Sequence, residues 1–256
     1  MLISLASVKG SPGVTSTALA MAAVWPRPVV LLEADASGGG LAYRCTAATG
    51  GPLPATKGIF TLAAAIRGGM PSGDVVVDHA QLLACGVRVV QGVVSPMQAR
   101  GMGSLWSTIA EACQTSGVDV IADLGRLDRA SVTLPIAQAS DYVLPVAAAT
   151  LESVMHLRGQ LPELSVALRQ HEVGRLVPLL VGPDGHAARD CRDLDELLDQ
   201  TGVGAEPSRP VPVDARTVQR LEAGERGNGR LGRTLLLRAT RLVAGALLEE
   251  GAVSTR

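Results

Sequence analysis

The residues best placed to do chemistry lie near the start of the chain, in Val8-Lys9-Gly10-Ser11-Pro12-Gly13-Val14-Thr15-Ser16. This stretch follows a short apolar run and opens a helix-period segment, which is the setting a phosphate-binding loop requires. Small residues let successive backbone N–H groups curl around an anion, and a helix N-terminus adds partial positive charge. Thr15 stands where a hydroxyl would coordinate Mg²⁺, and Ser16 where one would reach an inner phosphate. The usual loop ends in Gly-Lys-Ser/Thr, whereas this one reads Gly13-Val14-Thr15, so valine replaces the lysine that reaches the terminal phosphates. Lys9 remains at the start of the loop. Only two of the 23 basic residues are lysines, Lys9 and Lys57. Lys is a slim point charge able to enter a crowded phosphate site, so its retention here suggests a specific task. The plain alternative is a lysine in a surface turn.

Two carboxylates belong to the same chemistry. Asp35 follows the apolar run Val29 to Ala34, and Asp123 follows Val118 to Ala122. A carboxylate at the C-terminal tip of a parallel strand, beside a phosphate loop, is placed to hold a metal-bound water or orient an attacking one. Each also has an ordinary reading, as a turn or helix-cap residue.

The elements that must position these groups alternate along the chain. Apolar runs at Leu2 to Ser7, Val29 to Ala34, Val87 to Gly92, Val118 to Ala122, Tyr142 to Val146 and Leu176 to Val181 read as buried strands. Helical periodicity covers about Thr15 to Val24, Pro96 to Thr115 and Arg233 to Glu250. Continuous apolar strands separated by helices predict an α/β fold: a doubly wound, mostly parallel sheet with helices on both faces. Cys45 to Gly58 and Gly202 to Pro210 read as loops, and strands resume after each, so residues 1–250 are expected to form a single nucleotide-binding domain with a tail at 251–256.

Composition narrows the class. At 256 residues one α/β domain is the natural expectation. Hydrophobic residues make up 47% but aromatics 2%, so the core must be closely packed Ala, Val and Leu. The formal charge of −1 excludes a generally basic nucleic-acid coat. A local patch survives that argument, because residues 209 to 241 hold 8 Arg and 3 acidic residues. This tract is either a solvated face of the closing helices or a surface for DNA or acidic lipid. Four scattered cysteines without CxxC or metal-ligand spacing argue against a disulfide framework or zinc site and for a reducing compartment. The N-terminus lacks a signal-peptide pattern, and no run of about 18 apolar residues occurs, so a cytoplasmic, soluble protein is expected.

The loop resembles the deviant Walker A sequence of the ParA/MinD family, Lys-Gly-Gly-x-Gly-Lys-Thr-Thr. Lys9, Gly10, Gly13 and Thr15 match, Ser11 and Ser16 are mild changes, and Val14 is the departure. Further segments follow in the family's order. Val30 to Gly38 resembles its second strand, with Glu33 replacing an earlier aspartate. Val118 to Asp123 resembles the Walker B strand, with Gly125 in the following short segment. Ser140 to Val146 resembles the next strand, and Val211-Pro212-Val213-Asp214 the segment lying against adenine. The family's adenine-reading Asn is absent, its place taken by Leu180-Val181-Gly182-Pro183.

The resemblance covers about Leu2 to Leu248 and implies ATP and Mg²⁺ as cofactors. It implies that Gly10, Ser11, Gly13, Val14, Thr15 and Ser16 cradle phosphates, and that Pro212, Val213 and Asp214 meet the base. Thr15, Asp35 and Asp123 would serve the metal, Asp35 would orient the attacking water, and Lys9 would reach across a homodimer to the partner's nucleotide. Loss of the lysine at Val14 is expected to weaken binding by about 1.5–3 kcal/mol and to make hydrolysis slow or absent. Family members position plasmids, chromosomes, division inhibitors or pilus machinery through partner proteins or cargo adaptors. Members with degenerate loops look most like the TadZ/CpaE branch. Two readings follow: a nucleotide-dependent dimerisation switch, or a nucleotide-free interaction scaffold. Nonspecific DNA and, through the final helix, a membrane surface are further candidate partners, although that helix's apolar stripe also suits docking on the sheet.

Overall fold

The computed structural model describes residues 1–10, 12–69, 74–169 and 175–254; Ser11 of the loop lies outside them. The strands are β1 (Leu2–Ser7), β2 (Val29–Glu33), β3 (Gln81–Leu82), β4 (Arg88–Val90), β5 (Asp119–Arg126), β6 (Tyr142–Ala148), β7 (Arg175–Leu176), β8 (Leu179–Gly182) and β9 (Arg209–Pro212). They form a nine-stranded sheet in the order β3-β4-β2-β5-β1-β6-β8-β9, with β7 beside β6. All pairs are parallel except β3 with β4. The α/β, mostly parallel architecture is as expected, and the antiparallel edge is an addition to it.

The α-helices are α1 (Val14–Val24), α2 (Leu41–Arg44), α3 (Ile59–Ile66), α4 (Val75–Asp78), α5 (Pro96–Gly101), α6 (Leu105–Gln114), α7 (Leu134–Gln138), α8 (Leu151–Arg169), α9 (Ala187–Asp199), α10 (Ala215–Glu222) and α11 (Leu235–Ser254). They divide between two cores. One cluster joins α3 through α9 to one face of the sheet, and the other joins α1, α2, α10 and α11 to the opposite face. Strand alternation sorts the side chains. In β1, Leu2 and Ala6 enter the first core while Ile3 and Leu5 enter the second. In β5, Val120, Ala122 and Leu124 go to the first, which leaves Asp119, Ile121 and Asp123 on the α1 face. That parity is what brings Asp123 to the loop.

Three sequence expectations need correction. The helix expected over Pro96 to Thr115 is two helices, because Gly101-Met102-Gly103 breaks it, with Gly103 at φ +51°. Trp106 fills the resulting corner, fully buried, its Nε1–H donating to the Ala99 carbonyl at 2.9 Å. The strand expected over Leu176 to Val181 is interrupted at Val177-Pro178, so β7 pairs with the start of β6 and β8 with its end. The loop at Gly202 to Pro210 ends inside β9, whose central-edge prolines had masked it. The final helix is docked: Leu236, Leu237, Val243, Ala244 and Leu247 are buried against the second core. No helix among the described residues is long and apolar enough to cross a membrane. The four cysteines are free and buried, and burial pushes the Cys45 and Cys113 thiols up to about 12, as befits small core residues.

Candidate functional site

The loop after β1 runs along the C-terminal ends of β1, β2 and β5, the location where doubly wound sheets bind ligands. Gly13 forms the N-cap of α1 at φ +94°, a left-handed conformation that glycine adopts without a Cβ penalty. The Ser7 hydroxyl donates toward the Gly10 and Gly125 carbonyls at 3.2 and 3.4 Å, tying the loop to the end of β5. A cleft of about 520 Å³ opens here, lined in part by Gly10, Gly13, Thr15, Ser16, Asp35 and Gly125.

Asp123 lies beneath this cleft, 1% exposed. Its Oδ1 accepts the Gly125 N–H at 3.0 Å, while Oδ2 is buried without a hydrogen-bond partner among the described residues. Burial pushes its carboxyl up to about 7, against the opposing influence of the Thr15 hydroxyl and the Gly125 amide, with the nearby Asp35 charge adding to the rise. Asp35 follows β2, its Oδ1 accepting the Ser37 N–H at 2.8 Å in a tight turn. A Cβ on Gly125, which has φ +59°, would fall 2.2–2.5 Å from the Asp35 carboxyl group. Only glycine therefore permits that approach. Thr15, Asp35 and Asp123 thus converge, as their positions in the sequence suggested. No group of three or more His, Cys, Asp or Glu residues suited to a metal stands among the described residues. Two carboxylates and a hydroxyl fit Mg²⁺, which keeps several waters and takes other ligands from phosphates. The unpartnered Oδ2 of Asp123 supplies an acceptor for such a hydrated ion.

Val14 lines this cleft but places its side chain in the core. Its side chain is 5% exposed and belongs to the core of Ile3, Leu5 and Leu19. Lys9 lies beside α8 rather than on the wall of this cleft. Its Nζ lies 3.1 Å from Glu152 Oε1 and 2.7 Å from His156 Nε2, both on α8, over a separate hollow of about 220 Å³. Cations at the main cleft come instead from Arg44, at the end of α2, and Arg126, at the end of β5. Neither was found by sequence reasoning, because no motif marks them.

A second cleft of about 380 Å³ adjoins the first, with Val181, Val211, Pro212, Val213 and Asp214 in its wall. Its lining is mostly apolar, and it meets the first cleft at Gly13, Ser16 and Arg44. Pro212 is buried and Val213 exposed. Asp214 caps α10, accepting the Thr217 N–H at 2.9 Å and the Thr217 hydroxyl. Both of its oxygens are committed to the helix, so the neighbouring backbone and apolar side chains form that part of the cleft wall.

No protein-family model matches the sequence, and no curated protein matches it. Solved structures do. A ParA family ATPase from Chlorobium tepidum superposes with a TM-score of 0.71 at 14% identity, over 95% of this chain and 98% of that one. A plasmid partition protein from Borrelia burgdorferi bound to AMPPNP gives 0.64 at 15% identity, over 97% and 98%. The septum site-determining protein MinD from Pyrococcus horikoshii, complexed with Mg-ADP, gives 0.62 at 13% identity, over 98% and 97%. The chain therefore has the fold of the ParA/MinD ATPases, along nearly its whole length.

Proposed function

We propose that this chain is a ParA/MinD-like, ATP- and Mg²⁺-binding protein that acts as a nucleotide-dependent dimerisation switch in positioning a cellular cargo, with weak or absent hydrolysis. The carrying observation is the convergence of the left-handed Gly13 turn, Thr15, Asp35 and the unpartnered Asp123 oxygen around one cleft, with an apolar second cleft beside it. The polar cleft suits phosphates and the apolar one a base. Structural neighbours described as holding Mg-ADP and AMPPNP support the same ligand class.

In this reading the loop amides and the first turn of α1 hold the phosphates. Thr15, Asp35 and Asp123 would hold Mg²⁺, which supplies charge neutralisation when bound. Asp35 is the residue placed to orient a water. The valine at 14 removes a full charge, which is why turnover is expected to be slow. Cargo and adaptor would engage the dimer, with nonspecific DNA as one candidate through the 209–241 tract and membrane contact less favoured because α11 is docked.

Calorimetry with ATP and ADP in Mg²⁺, with sedimentation in parallel, tests the switch. ATP should bind and promote a dimer, and Lys9→Ala should lose that dimer while retaining much of the monomer's affinity. Binding with no change in mass would remove the switch. A specific observation favours a second reading, the nucleotide-free scaffold: Lys9 is engaged by Glu152 and His156 of its own chain. The absence of any nucleotide binding at millimolar concentration would select it.

A further inference from the structure

We propose that Arg44 supplies the phosphate-neutralising charge missing at Val14, and that Glu222 holds this arginine as a latch which a polyphosphate must open. The inference rests on the nucleotide reading of the site and adds to it the residue that meets the phosphates and the contact that regulates access.

Position supports it first. Arg44 lines both clefts, at the seam between the polar one and the apolar one. Its Nη2 lies 3.2 Å from the Ser16 hydroxyl, on the first turn of α1. Val14 lines the cleft without a charge and Lys9 lies over a different hollow, so neither position supplies a cation there. Arg126 contributes a second charge from its far wall, exposed at the end of β5.

The mounting supports it next. Glu33, 1% exposed, accepts the Leu41 N–H through Oε1 at 2.8 Å and the Gly92 N–H through Oε2 at 3.0 Å. A buried carboxylate thus fixes the start of α2 on the sheet, and Arg44 ends that one-turn helix. Its backbone is anchored while its side chain, 38% exposed, keeps freedom to move.

The guanidinium also pairs with Glu222 at the end of α10, whose side chain is 15% exposed. Glu222 itself lines the apolar cleft. One carboxylate and an incoming polyphosphate therefore compete for the same five-donor fork. A polyphosphate carries more charge and matches the fork bidentately, so it can displace Glu222. Displacement uncouples α2 from α10 at the mouth of the second cleft. The ligand class is a nucleoside di- or triphosphate.

The test is calorimetry with MgATP on the full chain, comparing the unmodified protein with Arg44→Ala, Glu222→Gln and the double variant. A merely structural ion pair predicts that both single variants weaken binding. The latch predicts opposite signs: Arg44→Ala loses at least about tenfold in affinity, while Glu222→Gln gains roughly three- to tenfold. The gain must vanish in the double variant, which should match Arg44→Ala. Affinity of Arg44→Ala within twofold of the unmodified protein overturns the proposal and leaves the nucleotide reading standing, as does a Glu222→Gln gain that persists without Arg44. If neither the unmodified protein nor Glu222→Gln binds MgATP at millimolar concentration, the nucleotide reading falls and the latch with it. Binding by Glu222→Gln alone supports both.

Discussion

Asp123 carries one buried carboxylate oxygen without a hydrogen-bond partner among the described residues, and its carboxyl is pushed up to about 7 by burial. The folded protein then holds a proton there that the unfolded chain releases near pH 4. Stability from this group is complete below the unfolded value, declines as pH rises toward about 7 and is flat above it. Asp123→Asn should therefore be more stable than the unmodified protein at pH 8 and show a smaller decline between pH 5 and 8. Urea titrations in the presence of a chelator read this directly, and equal stability of the two at pH 8 would contradict it. At this scale Thr15, Asp35 and Asp123 were legible, because a strand tip or a loop beside a helix start announces itself in order along the chain. Arg44 and Glu222 were not. They stand 178 residues apart, and only the tertiary fold puts their charges together.

Elements are joined by polar contacts that periodicity does not reveal. Asp119 begins β5 facing the α1 side and accepts the Trp25 Nε1–H at 2.8 Å and the Arg27 Nε–H at 2.8 Å, both from the turn between α1 and β2. Trp25 is 8% exposed and Asp119 7%. Removing the carboxylate strands an indole N–H and an arginine partly out of water. Asp119→Ala should cost about 2–4 kcal/mol, a fall in Tm of roughly 5–10 °C, with nucleotide affinity unchanged. Thermal melts alongside calorimetry would show it, and loss of affinity without loss of stability would contradict the assignment. The long central strands were legible because they read as unbroken apolar runs. The short edge pieces were not: β3 is two residues, and β9 carries Pro210 and Pro212, which suppress any strand signal. The break between α5 and α6 was written in Gly101 and Gly103 but outweighed by the apolar periodicity around them.

For the whole molecule, the central position of β1 decides where everything else falls. The chain builds β2, β4 and β5 on one side of it and then crosses to β6, β8 and β9 on the other, so the loop after β1 opens at the middle of the sheet. The alternation of apolar strands and helices made this class of fold legible. Which helices cover which face was not, since that depends on crossovers rather than on composition. The sheet is thin in chemistry but thick in packing: α8 carries Glu152 and His156 against Lys9 on one side of the loop, and α2 and α10 meet across its other side.

The chain has two tryptophans, and the fold deposits one in each core: Trp106 among α3 to α9, Trp25 among α1, α2, α10 and α11. With aromatics otherwise so scarce, intrinsic fluorescence becomes a two-channel optical record of the two layers. Trp25→Phe leaves a probe of one layer and Trp106→Phe a probe of the other. Because β1 and β5 donate side chains to both cores, the two emission signals should change together on denaturation. Separate midpoints would mean that the helical layer around the loop after β1 can come apart while the opposite layer still glows as folded.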